Sequence, residues 1–192
     1  LTESAYGFTW ADVHTDHGGT NNVHLLGDIS GDGIDDIGCG FADFTGSTYR
    51  NGKVTTMFGE SGMSGAFDCA EPEVWELEIH GPHVSYRGGQ IAPLGDINGD
   101  AENDFGAIAS EAGGYGYAFY GSTKGSWQTS DIAALTVTGD NISTMSRSAG
   151  DVNGDTYSDV VLGAWGWDLS PQVLDAGAVG IFYMPSPDAS LA

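Results

Sequence analysis

The side chains best placed for chemistry in this chain are carboxylates, and they recur at one spacing three times. The first stretch is Gly27-Asp28-Ile29-Ser30-Gly31-Asp32-Gly33-Ile34-Asp35-Asp36. The second runs Gly95-Asp96-Ile97-Asn98-Gly99-Asp100-Ala101-Glu102-Asn103-Asp104, and the third Gly150-Asp151-Val152-Asn153-Gly154-Asp155-Thr156-Tyr157-Ser158-Asp159. With the first Asp as position 1, oxygen side chains stand at positions 1, 3, 5 and 9 in every copy. They are Asp28, Ser30, Asp32 and Asp36; Asp96, Asn98, Asp100 and Asp104; and Asp151, Asn153, Asp155 and Asp159. A hard cation such as Ca2+ takes about six to eight oxygen ligands, and a loop that turns alternate residues inward supplies them. Carboxylates crowded this closely repel one another unless a cation lies between them. The residues at position 7, Ile34, Glu102 and Tyr157, share no side-chain chemistry, so their backbone carbonyls are the expected ligands. The pattern predicts three Ca2+ sites. Its competitor is a set of acidic surface turns, because Asp, Asn and Gly are common turn formers. Recurrence in one strand context favours the metal.

An EF-hand fails on spacing. Its loop needs a bidentate Glu at position 12 and flanking helices. Position 12 here is Cys39, Ala107 or Leu162. Asp at position 9 must close the site, and the residues that follow (Ile37 to Phe41, Phe105 to Ala109, Val160 to Ala164) read as strands.

These residues resemble the FG-GAP repeats of integrin alpha subunits and their bacterial relatives. The resemblance lies in the metal loops, in Leu25-Leu26-Gly27-Asp28, in Tyr86-Arg87-Gly88-Gly89-Gln90-Ile91-Ala92-Pro93-Leu94-Gly95-Asp96, and in Gly163-Ala164-Trp165. It implies an all-β chain: a β-propeller of three four-stranded blades, with calcium held between the first and second strand of each. The chain departs from the family where Phe-Gly becomes Arg87-Gly88, where Gly-Ala-Pro is degraded, and where Ser30 replaces Asp or Asn. The first site is therefore expected to bind more weakly than the others.

The elements that must position the loops are short and β-rich. No stretch keeps apolar residues at helical spacing over three turns. Within a single domain over 1–192, repeats are expected at about 22–80, 88–138 and 142–184. The first gives strands at 22–26, 36–41, 53–58 and 74–80, and the second at 90–94, 105–109, 115–120 and 133–138. The third gives 143–148, 160–164 and 178–184, followed by a tail from Pro185. It is one strand short, and residues 1–13 hold one to spare. That segment is expected to complete the last blade, since native proteins cover strand edges. Three blades are few for a ring, because propellers have about four to eight. Self-association is therefore expected, most simply as a homodimer closing a six-bladed ring.

Composition narrows the partners. With 27 acidic against 5 basic residues, the formal charge is −22. Such a surface repels nucleic acid and anionic membranes. No run of 18 apolar residues is present, so membrane insertion is not expected. A calcium-containing extracellular medium, with the chain secreted or at the cell surface, suits this charge. The two cysteines, Cys39 and Cys69, are compatible with one disulfide or with two thiols.

Other chemistry is poorly supported. His14, Asp16, His17 and His24 match no zinc spacing and read as a solvated loop, and His80-Gly81-Pro82-His83 reads as a turn. Gly59-Glu60-Ser61-Gly62-Met63 begins like a nucleophile elbow but has Met63 where a Gly belongs, and no helical pattern follows. No phosphate loop with its Lys is present. Trp165 and Trp167 could stack on sugars or anchor a protein, although most of the five Trp are expected in the core. The expectation is a non-catalytic calcium-binding module for adhesion or protein binding. A carbohydrate-binding propeller, or a non-catalytic part of a polysaccharide-degrading enzyme, is the alternative.

Overall fold

The structure, a computed structural model, describes residues 8–11, 20–44, 51–68, 77–80, 90–109, 114–139, 142–145, 148–168, 170, 174–185 and 188–190. Among these residues it is all-β apart from one helical turn, α1 (Thr129–Ile132), which periodicity did not announce.

Three similar units follow one another. In the first, β2 (Thr20–Gly27), β3 (Asp36–Phe44), β4 (Asn51–Met57) and β6 (Leu77–His80) pair in that order, all antiparallel. In the second, β7 (Gln90–Gly95), β8 (Asp104–Ala109), β9 (Tyr115–Phe119) and β11 (Leu135–Thr138) repeat the arrangement. In the third, β12 (Ile142–Met145), β13 (Val160–Ala164) and β14 (Ala178–Phe182) stop at three strands among the described residues. Each metal-type loop joins the first two strands of its unit. The strand positions agree with the periodicity, since alternating residues give these segments a buried face, as in β13, where Val160, Leu162 and Ala164 are buried.

The sheets depart from a plain four-strand repeat. After the third strand of each unit the chain makes a short extra strand: β5 (Gly65–Asp68), β10 (Gly125–Gln128) and β15 (Asp188–Ser190). Strand β10 pairs in parallel with β6 of the unit before it, and β15 pairs in parallel with β11. Both complete five-stranded sheets, ordered β10-β6-β4-β3-β2 and β15-β11-β9-β8-β7. The segment after Pro185 is therefore no simple tail, because its strand covers the edge of the second sheet. The closing-strand expectation also needs correction. Within the chain, β1 (Phe8–Ala11) pairs in parallel with β5 and does not join the third sheet. The remainder of residues 1–13 lies outside the described residues.

Two apolar seams hold the units together. The first joins Leu26, Val54, Leu77 and Ile79 of unit one to Ile91, Phe105, Tyr117 and Phe119 of unit two. The second joins Leu94, Ile108, Ala118 and Val137 to Ile142, Val160 and Leu162. Glycine permits the approach. A Cβ on Gly38 would lie 2.4 Å from Ile91 Cδ1, and one on Gly116 would lie 2.7 Å from Leu162 Cδ1. Unit one also buries an ion pair, Lys53 Nζ to Glu78 Oε1 at 3.0 Å, with the ammonium 5.2 Å from the Phe41 ring centroid.

Candidate metal centres

All three loops fold alike, and backbone N–H groups explain why. The position-1 carboxylate curls over its own loop. Asp28 Oδ1 accepts from the N–H of Gly31 (2.7 Å) and Asp32 (3.1 Å), and its Oδ2 accepts from Gly33 (2.8 Å). Asp96 accepts from Gly99 (2.5 Å) and Ala101 (2.9 Å), and Asp151 from Gly154 (2.6 Å), Asp155 (3.0 Å) and Thr156 (2.8 Å). This curl needs left-handed backbone at positions 4 and 6. Gly31, Gly99 and Gly154 have φ of 79°, 85° and 83°, and Gly33, Ala101 and Thr156 have 86°, 73° and 82°.

Positions 3 and 5 clasp each other in the later loops. Asn98 Nδ2 donates to Asp100 Oδ2, and Asn153 Nδ2 to Asp155 Oδ2, both at 2.8 Å. The N–H of each position-7 residue (Ile34, Glu102, Tyr157) donates to the position-5 carboxylate at 2.8–3.0 Å. Ser30 in the first loop instead donates its hydroxyl to Asp28 Oδ1 at 3.3 Å.

The position-9 aspartates have a role that spacing did not reveal. Asp36, Asp104 and Asp159 are fully buried. Oδ2 of each accepts from the N–H at position 2 of its loop: Ile29 (2.8 Å), Ile97 (2.7 Å) and Val152 (2.8 Å). The other oxygen accepts from the chain leaving the third strand, at Gly59 (2.7 Å), Gly121 (2.7 Å) and Met184 (3.1 Å). Each carboxylate thus staples the loop to a second turn 17 to 25 residues further on. The signal was the Asp itself, invariant among the copies at the entry to a buried strand: the first residue of β3 and β8, and the residue just before β13.

Electrostatics separates the two ends of the loop. At Asp28 and Asp96 burial works against ionisation, but the donated N–H groups outweigh it and hold both carboxyls below the usual range. At Asp151 the Thr156 N–H leads the same lowering. Burial pushes Asp36 up, and it pushes Asp104 up to about 7, with the charges of Asp100 and Asp96 adding to the rise.

Among the described residues, no three His, Cys, Asp or Glu side chains converge in a metal-ligating group. The loop carboxylates lie on their own N–H groups instead. The donor set itself fits a hard cation, being oxygen throughout and anionic at positions 1, 5 and 9. Carboxylate oxygens each carry two acceptor sites, so an N–H contact does not exhaust them.

Of the other candidates, His14, Asp16, His17, Cys69, His83 and Arg87 lie outside the described residues, and Cys39 is buried on β3. Ser61 lies in a turn after β4. Beside that turn is an open hollow of about 260 Å³ lined by Ile34, Ile37, Met57, Gly59 and Met63. It is smaller than the roughly 300–1,000 Å³ of ligand pockets. Trp165 is 68% exposed. No helix among the described residues is long and apolar enough to cross a membrane. No family model matches the chain, and no curated protein matches it in sequence.

Proposed function

We propose that this chain is a calcium-binding, non-catalytic recognition module of the FG-GAP, integrin-alpha-like type, its three units being blades of a β-propeller. It works outside the cell, where calcium is plentiful, and binds a protein partner. The observation that carries this reading is the threefold recurrence of one loop geometry at one place in the fold. Oxygen donors at positions 1, 3, 5 and 9 stand between the first two strands of every unit. The strongly acidic surface supports it too, since bound Ca2+ offsets part of a formal charge of −22.

Calcium here organises the turn and does no chemistry. The loops join neighbouring strands, and a structural cation needs no open coordination position for substrate. Re-aiming the position-1 and position-5 carboxylates from N–H groups to the cation is a side-chain movement that leaves the strands in place. The position-9 Asp keeps its staple and offers the remaining acceptor sites.

The exposure of Trp165 favours a second reading, a sugar-binding surface, because an indole face stacks on a pyranose ring. Isothermal calorimetry with CaCl2, then a glycan array and a protein-adhesion assay with and without chelator, tests both. The leading reading expects calcium uptake and calcium-dependent adhesion. Specific glycan binding lost in Trp165→Ala favours the second, and absence of uptake at millimolar calcium overturns the metal role.

A further inference from the structure

Glu102 belongs to the second loop by its backbone and to the first by its side chain. Its N–H donates to Asp100 Oδ1 within its own loop at 2.9 Å. Its carboxylate reaches across the seam to Gly31, the fourth residue of the first loop, where a Cβ would collide with Glu102 Oε1. Gly31 stands between Ser30 and Asp32, the position-3 and position-5 donors of that loop. Neighbouring contacts fix this placement. Asn103 N–H donates to Asp28 O (2.8 Å), and Ser122 N–H to Ile29 O (2.5 Å). The Ser122 hydroxyl donates to Glu102 Oε2 and lies 3.5 Å from the Ser30 carbonyl oxygen. The residue before it, Gly121, is held by Asp104 through the buried staple. Glu102 is thus seated on the first loop by its own loop and by the turn after β9.

Charge separates this junction from the next one in the chain. At the same position of the third loop Tyr157 packs against Gly99, its Cε1 2.8 Å from a Cβ built there. Ser158 N–H repeats the backbone bond, donating to Asp96 O at 2.7 Å. The junction forms equally well with an uncharged ring, so packing does not require a carboxylate. Among the described residues the Glu102 side chain takes one hydrogen bond, from Ser122, and no ion pair. Its charge therefore stands unneutralised beside the ligand set of a loop in another unit. Without a cation such a charge repels the carboxylates of that loop, and with one it attracts the cation. The loop it serves is the one with the poorest donor at position 3, Ser30 where the others have Asn98 and Asn153.

We propose that the Glu102 carboxylate strengthens cation binding in the first loop across the seam, offsetting in part the weaker donor that Ser30 provides. The inference rests on the calcium reading of the loops. It gives Glu102 two roles at once, a backbone role in the second loop and a side-chain role in the first.

Glu102→Gln tests this, because the amide keeps the size and the acceptor for Ser122 while removing the charge. Calorimetry with CaCl2 should show one of three steps weakened about three- to tenfold, the scale of a single nearby, partly screened charge. Asp32→Ala removes the first loop's step, and in that background Glu102→Gln should leave the two remaining steps unchanged. Melting temperature separates charge from packing. In excess chelator Glu102→Gln should melt at or above the wild type, since a repelling charge is gone. In millimolar calcium it should melt below. A wild type that takes up no calcium overturns the calcium reading and this inference with it. Three steps unmoved by Glu102→Gln overturn this inference alone. So does an equal fall in melting temperature with chelator and with calcium, the mark of a packing role, or a shift of the steps that remain in Asp32→Ala.

Discussion

The backbone N–H of Ser158 donates to the carbonyl oxygen of Asp96 at 2.7 Å, one unit away. Asn103 and Asp28 repeat the bond at 2.8 Å. The first and second loops are therefore each held by the loop that follows as well as by their own turns. Residue 8 of one loop and residue 1 of the preceding loop are coupled through backbone groups, so the latch tolerates Asn in one copy and Ser in the next. Stability in such a stack is shared between the units and their seams.

The buried staple gives the first prediction. Asp104→Ala removes the acceptor of the Ile97 and Gly121 N–H groups, at 2.7 Å each. A buried donor left unpaired costs about 1–3 kcal/mol, so a loss of about 3 kcal/mol is expected. Asp104→Asn keeps one acceptor oxygen and should lose less. Urea denaturation orders the three proteins, and an unchanged midpoint for Asp104→Ala would remove the staple from the account.

Backbone strain gives the second. Thr156 is an exposed β-branched residue at φ 82°, where the first loop has Gly33 at 86°. A non-glycine residue in left-handed backbone costs about 1–3 kcal/mol, part of which is offset by the greater unfolded-state freedom of glycine. Thr156→Gly is expected to raise the melting temperature through a gain of about 0.5–1 kcal/mol. A lower melting temperature counts against the strain.

A single hydroxyl gives the third. Thr56 is fully buried, and its Oγ1 has no hydrogen-bond partner among the described residues. The equivalent positions in the other units hold Ala118 and Ile181. Thr56→Val keeps the shape and removes the unsatisfied group, which is worth about 1 kcal/mol. Thermal unfolding should show the gain, whereas a loss would mean that the hydroxyl has a partner in solution.

The proposed metal role gives the fourth. Ligand bound to the folded state alone stabilises it by mass action, so chelation should lower the melting temperature. The first loop has Ser30 where the others have Asn98 and Asn153. Ser30→Asp adds an anionic oxygen and should tighten the weakest of three calcium steps in calorimetry. Asp155→Ala should remove one equivalent. Equal calcium isotherms for the wild type and both variants would place binding elsewhere or nowhere.

Periodicity and turn chemistry by themselves determined the all-β class, the three loops and most of the strands around them. Those features are local: a Gly-Asp turn sets its own curvature, and alternation sets which face of a strand is buried. The second strand of each unit, at 36–44, 104–109 and 160–164, was legible for that reason, because each follows its loop directly. What tertiary structure decided is non-local. The parallel partners β10 and β15 were not legible, since a short segment such as Gly125–Gln128 carries little pattern and finds its place only when the next unit stacks. The segment Phe8–Ala11 was legible as a strand, but its partner was not, because edge pairing depends on which edge the stack leaves nearby. Likewise the sequence presents Asp36, Asp104 and Asp159 as ligands of a loop. Only the fold reveals them as buried acceptors for a turn 17 to 25 residues away, since a carboxylate's oxygens are shared out in space and not along the chain.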